Sequence, residues 1–239
     1  MTAPLFLEDA YQAEAPATVT AITPEGGVVL DRSIFYATGG GQPGDSGWLD
    51  WGQGRLPIAT TVKGDAGAIV LVPAEPTALP PVGTALTQRL DWPRRHRMMR
   101  VHSLLHLLSV VVPLPVTGGQ ISAEKGRLDF IMPQPPEDRE MIARALNDLI
   151  ERDLKIGADW IDQAELDARP ELVKTLRVKP PRGAGRVRLI WIGEGDARVD
   201  LQPCGGTHVA RTSEIGAVRL GKIEKKGAMN RRINVLLED

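Results

Sequence analysis

The chain has 239 residues, 42% of them hydrophobic, and its 29 basic side chains nearly balance 30 acidic ones, leaving a formal net charge of −1. That is enough apolar chain for one large domain or two small ones, and no run approaches the roughly 18 apolar residues of a membrane span. One cysteine excludes an internal disulfide, and the opening residues lack the basic-then-apolar pattern of a secretory signal, so a reducing, cytoplasmic setting is expected.

Through the first ninety residues, short apolar runs at 18–22, 27–30, 33–36 and 68–72 alternate with Gly, Pro and Asp. That punctuation predicts short strands. A stretch rich in proline and small residues at 73–81 precedes another predicted strand at 84–90, and the set suggests a small β-barrel. Inside it lies Tyr36-Ala37-Thr38-Gly39-Gly40-Gly41-Gln42-Pro43-Gly44-Asp45-Ser46-Gly47. A hairpin turn needs only one or two glycines. Three in succession point to backbone lying close against a ligand, with Gln42 able both to donate and to accept. No Lys-Ser or Lys-Thr follows, so this is not a nucleotide phosphate loop.

The character changes at Asp91-Trp92-Pro93, which predicts one domain over 1–91 and a second over 92–239. Residues 94–112 contain no Gly or Pro and are rich in Leu and Met, and so read as a helix. His102 and His106 stand four apart on it, rotated by about 40° onto one face. A hairpin is expected around Glu124-Lys125-Gly126, with strands at 121–123 and 128–131. A second helix should open at 135–138, where acids suit the dipole, with Ile142, Ala145, Leu146, Leu149 and Ile150 as its core stripe. Strand-like runs follow at 187–192, 216–223 and 233–237. The second domain therefore reads as α+β, with helices packed on an antiparallel sheet.

Cys204-Gly205-Gly206-Thr207-His208 repeats the spacing of the first histidine pair, again with two donors four apart. The two motifs hold three of the four histidines and the only cysteine, all side chains that zinc prefers. Their convergence on one Zn2+ ion is expected, with His102, His106, Cys204 and His208 as ligands. With all four bound, a water would need a fifth position or a displaced ligand.

Charge is unevenly spread. Residues 89–100 carry five arginines against one aspartate, 177–188 carry Arg177, Lys179, Arg182, Arg186 and Arg188 with no acid, and 211–232 carry seven basic residues against two acids. Such runs often only solvate a face. Two of them flank the histidine and cysteine motifs, as suits a polyanionic substrate such as RNA. The candidates for that contact are Arg94, Arg95, Arg97, Lys222, Lys225, Lys226, Arg231 and Arg232.

The glycine loop, the histidine pair and the Cys-Gly-Gly-Thr-His run, in this order, resemble the editing domain of alanyl-tRNA synthetase and its free-standing AlaX-type relatives. Residues 30–36 leading into Gly39–Gln42, then His102 and His106, then 204–209, and the closing 222–227 with 231–233 carry the likeness across nearly the whole chain. The resemblance implies a barrel of translation-factor type followed by a metal-bearing editing domain. It implies hydrolysis of the ester joining chiefly serine, with glycine second, to alanine tRNA, with Ser33, Gly39, Gly40, Gly41 and Gln42 at the substrate and mischarged tRNA(Ala) as partner. Ser33 and Ser103 stand where the family more often has threonine, and both keep a hydroxyl. Nothing is expected to resemble a class II aminoacylation core, so editing would occur in trans, by a monomer. A structural zinc site in an RNA-binding module without catalysis is the rival reading. A zinc deaminase would need H-x-E and P-C-x-x-C, and a zincin H-E-x-x-H; both are absent.

Overall fold

Beside a short parallel pair, Ala3–Pro4 with Arg32–Ser33, runs ended by glycine, proline or aspartate become six barrel strands: β1 (Glu14–Ile22), β2 (Val28–Leu30), β3 (Gly47–Trp51), β4 (Gly54–Lys63), β5 (Ile69–Pro73) and β6 (Ala85–Leu90). The structure, a computed structural model, describes residues 1–52, 54–174 and 185–238. Every pairing among the six strands is antiparallel, and the order β1-β2-β5-β4-β3-β6 closes on itself as a barrel. Closure removes the open edges that such short strands would otherwise expose. Inward-facing Val19, Val28, Leu30, Leu49, Leu56, Leu71 and Leu86 fill the interior.

The expected strand at 33–36 is a correction. Ile34, Phe35 and Tyr36 are buried without joining the barrel ladder. Their amides are met by side chains instead: Ile34 donates to Gln88, Phe35 to the Ser33 hydroxyl and Tyr36 to the Asp45 carboxylate. Buried backbone donors need acceptors, and here side chains supply them.

Helix α1 (Trp92–Val111) opens where expected, with the Arg94 amide donating to the Asp91 carboxylate and Pro93 in its first turn. Its middle is buried on almost every side, from Met98 through Ser109. The chain divides into two compact units, 1–97 and 98–239, so the division falls inside this helix instead of ahead of it.

In the second unit, β7 (Val116–Ile121) and β8 (Lys125–Ile131) form the expected hairpin, and α2 (Arg139–Glu151) follows. Asp138 caps α2 by accepting from the Met141 amide, and Ile142, Leu146 and Ile150 are its buried residues. Then come β9 (Ile156–Asp162), the short α3 (Gln163–Asp167), β10 (Arg186–Ile192), β11 (Asp200–Pro203), β12 (Val218–Lys225) and β13 (Asn230–Leu237). Two antiparallel sheets result, β12-β13-β8-β7 and β9-β10-β11. On β8, a Cβ at Gly126 would lie 2.8 Å from Val101 and 2.9 Å from Leu105, so glycine lets the strand close onto α1. No helix among the described residues is long and apolar enough to cross a membrane.

Candidate metal centre

Helix α1 and the turn after β11 bring four side chains together. The donor atoms of His102, His106, Cys204 and His208 all lie within 4.8 Å of one another. Cys204 Sγ is 3.4 Å from His102 Nε2 and 3.3 Å from His208 Nε2. The three histidines are buried and Cys204 nearly so. Four-coordinate bonds of ~2.0–2.3 Å imply donor separations of roughly 3.3–3.7 Å across a tetrahedron. The two separations from Cys204 fall in that range, and the four side chains together could hold a metal ion.

The surrounding residues fix the rings. His106 Nδ1 lies 2.9 Å from Asp200 Oδ2, which leaves Nε2 for the cluster. Gln202 Nε2 donates to the same carboxylate oxygen at 2.8 Å, and Lys174 Nζ sits 2.5 Å from Asp200 Oδ1. Ser103 Oγ is 3.1 Å from His208 Nδ1, doing for that ring what Asp200 does for His106. The Gly206 amide donates to Cys204 Sγ at 3.4 Å.

Electrostatics follow from this packing in the metal-free chain. Burial opposes charge on His106, yet Asp200 and Cys204 outweigh it and raise its pKa to about 9. Burial would raise the Cys204 thiol, but His102 and His208 beside it pull it well below the usual range. For Asp200 burial is again opposed, by His106 and then Lys174, and its pKa falls to about 2. Burial and then His102 hold His208 well below its ordinary value. The cluster thus favours a thiolate beside a charged His106 ring, whose proton a metal ion would have to displace.

Asp200 and Gln202 alternate on β11 and project to one face, and Cys204 follows at the same spacing just past its end. That period of two was a readable signal, and the expected site omitted Asp200, Gln202 and Lys174. Arg188 was placed in a nucleic-acid-gripping run. It clamps the turn that carries Cys204, donating to the carbonyls of Cys204 at 3.2 Å and Gly206 at 2.9 Å. Arg177, Lys179 and Arg182 lie outside the described residues.

Among the expected tRNA contacts Arg95 needs correction, because burial keeps it from phosphate, and several others already have partners within the chain. Arg95 is fully buried against Asp45, and Arg231 is buried and donates to the Pro133 carbonyl. Arg232 holds Asp129 with two bonds, at 2.8 and 3.0 Å. Lys226 pairs with Glu224 at 2.8 Å, and Arg94 donates to the Gly44 carbonyl. Arg97 is half-buried, while Lys222 and Lys225 are exposed.

In the barrel unit the glycine loop is a tight turn. Gly39 and Gln42 exchange backbone hydrogen bonds at 3.1 and 2.9 Å around Gly40 and Gly41. Those two residues have φ of 56° and 86°, which a turn of this kind demands and only glycine adopts freely. Gly40 and Gly41 are exposed, whereas Gln42 and Ser33 are fully buried. A substrate reaches either side chain only by displacing its cover.

Comparison with known proteins converges on one group. Residues 187–234 match the family described as threonyl and alanyl tRNA synthetase second additional domain. Residues 7–94 match the family described as tRNA synthetases class II (A). The second of these matched stretches contains the closed barrel. The chain is 32% identical to the alanyl-tRNA editing protein AlaX-M of Methanosarcina mazei, covering 100% of this chain and 98% of that protein. It is also 32% identical to AlaX-M of Saccharolobus solfataricus, covering 98% of each. Against the alanine–tRNA ligase of Pyrobaculum calidifontis it is 33% identical, over 94% of this chain but only 25% of the ligase. The chain therefore spans about a quarter of the length of that ligase.

Proposed function

Because the chain belongs to the AlaX-M family of alanyl-tRNA editing proteins, we propose that it hydrolyses the ester of mischarged alanine tRNA, with Ser-tRNA(Ala) as chief substrate and Gly-tRNA(Ala) as a second. The convergence of His102, His106, Cys204 and His208 carries this reading. A donor set of three imidazoles and one thiolate gathered within 4.8 Å suits zinc. Zinc held there supplies a Lewis acid that polarises an ester carbonyl and makes water more acidic.

The chain's own residues do the rest. Asp200 and Ser103 hold the His106 and His208 rings by Nδ1, so that both Nε2 atoms face inward. Arg188 keeps the Cys204–Gly206 turn in register. The exposed backbone at Gly40 and Gly41, with Gln42 and Ser33 behind it, holds the aminoacyl end. Exposed Lys222 and Lys225 contribute phosphate contacts to the tRNA. The barrel is read as one of translation-factor type, and the compartment as the cytoplasm, where a thiolate stays reduced.

Selectivity explains why such an enzyme is needed. An alanine pocket discriminates against glycine by only ~1–3 kcal/mol, the worth of one methyl, and rejects an added hydroxyl by about a hundredfold. A second site that destroys the errors restores accuracy.

The test is deacylation of Ser-, Gly- and Ala-charged tRNA(Ala), with and without a chelator. Hydrolysis of the seryl ester that stops on metal removal and returns with zinc supports the proposal. Unchanged hydrolysis in metal-stripped protein counts against zinc, and tRNA binding without any hydrolysis favours an RNA-binding module with a structural ion.

A further inference from the structure

Asp45 and Arg95 form an ion pair with side-chain exposures of 1% and 0%. Arg95 Nε reaches both carboxylate oxygens at 3.0 Å, and one terminal nitrogen makes a further contact with Asp45 Oδ2. The guanidinium also donates to the carbonyls of Ile34 at 2.6 Å and Ala10 at 3.0 Å. On its other side, Asp45 accepts from the Tyr36 amide at 2.5 Å, while its own amide donates to the Tyr36 carbonyl at 3.0 Å. One carboxylate thus closes both ends of the segment 36–45, which bears the glycine turn.

Burying such a pair costs about as much as it returns, and well-packed apolar substitutes are often neutral or stabilising by ~1–4 kcal/mol. Stability alone therefore does not account for it. The rest of the loop hangs from the same base: Thr38 donates to the Thr61 carbonyl at 2.9 Å, and Gly44 donates to the Thr38 hydroxyl at 2.8 Å. A Cβ at Gly44 would sit 2.0 Å from the Thr61 carbonyl oxygen, so the loop is pressed against β4.

We propose that Asp45 and Arg95 are positioning residues whose buried pair sets the conformation of the glycine turn, and through it the orientation of the aminoacyl end. The second half of this statement rests on the editing reading above. The guanidinium fork is essential because it bridges Asp45, Ile34 and Ala10 at once, which an ammonium point charge does not. Misplacement by ~1 Å can cost about a hundredfold in rate, and the loss belongs in kcat, since the turn orients the ester without gripping the tRNA body.

The experiment compares the full-length protein with Arg95→Lys and with the double substitution Asp45→Leu, Arg95→Met. The expected double variant keeps its melting temperature and its metal content. Amide exchange at Thr38, Gln42 and Gly44 quickens at least tenfold, and kcat for Ser-tRNA(Ala) falls about a hundredfold with KM little changed. Arg95→Lys should give intermediate values of both. A lowered melting temperature with unaltered loop exchange overturns the proposal and makes the pair ordinary core. Faster loop exchange with unchanged deacylation leaves the strut standing and sinks the substrate role of the turn. Should the double variant fail to fold, Arg95→Lys decides by the same two readouts.

Discussion

In the barrel unit the buried Asp45 carboxylate is met by a guanidinium and a backbone amide of the same chain, while in the second unit three imidazoles and a thiol crowd within 4.8 Å. The first arrangement is complete in its own charges. The second gathers electron-pair donors in a group that could hold a metal ion. One polypeptide has thus organised buried polar groups in two ways: by internal counter-charge, which needs nothing from outside, and by donors spaced for an ion. The barrel should therefore keep its stability when metal is removed, and the Cys204 turn should not.

The largest expected effect comes from removing a ligand. His106→Ala should lower metal affinity by more than about a hundredfold, beyond the range for outer-sphere changes, as read by competition with a chromophoric chelator; retention of affinity would mean the cluster is not a metal centre. Next is pH. His106 has its pKa raised to about 9 in the metal-free chain. Its charge then stabilises the fold fully below about pH 6.5 and loses that contribution as pH rises through about 9. Metal needs the neutral ring, so affinity should climb by up to about tenfold per pH unit over the same interval. A flat profile in titrations across it would contradict the coupling.

Asp200→Asn should weaken metal binding by about 10–100-fold while leaving the barrel unaffected. In the other direction, Leu49→Ala removes a fully buried barrel side chain and should cost about 2–5 kcal/mol in urea unfolding. Its metal affinity should be unchanged, and a matching loss would erase the contrast between the units. The smallest effect is Asp138→Ala, which deletes the α2 cap and should cost about 1 kcal/mol in the same unfolding assay.

Much of the site was readable because its signals are local. Four-residue spacing within His102–His106 and Cys204–His208 needs no fold to be noticed. The core stripe of α2 at Ile142, Leu146 and Ile150 is likewise a periodicity. What escaped was non-local. Strand β9 (Ile156–Asp162) carries acids and a half-exposed surface, so no apolar alternation announced it. Arg95 and Arg231 look like their neighbours in composition, and only burial separates a structural guanidinium from one free to meet phosphate.

Chain order and residue type alone determined the kinds of element, the switch from short strands to helix at Asp91-Trp92-Pro93, and the inventory of donors able to hold an ion. Tertiary structure alone decided which charges remain available. A salt bridge such as Arg232–Asp129 joins residues 103 positions apart, and the Asp200 contact to His106 spans 94. Such pairings arise when packing excludes water and each buried charge must find its opposite, a condition that no window of sequence contains.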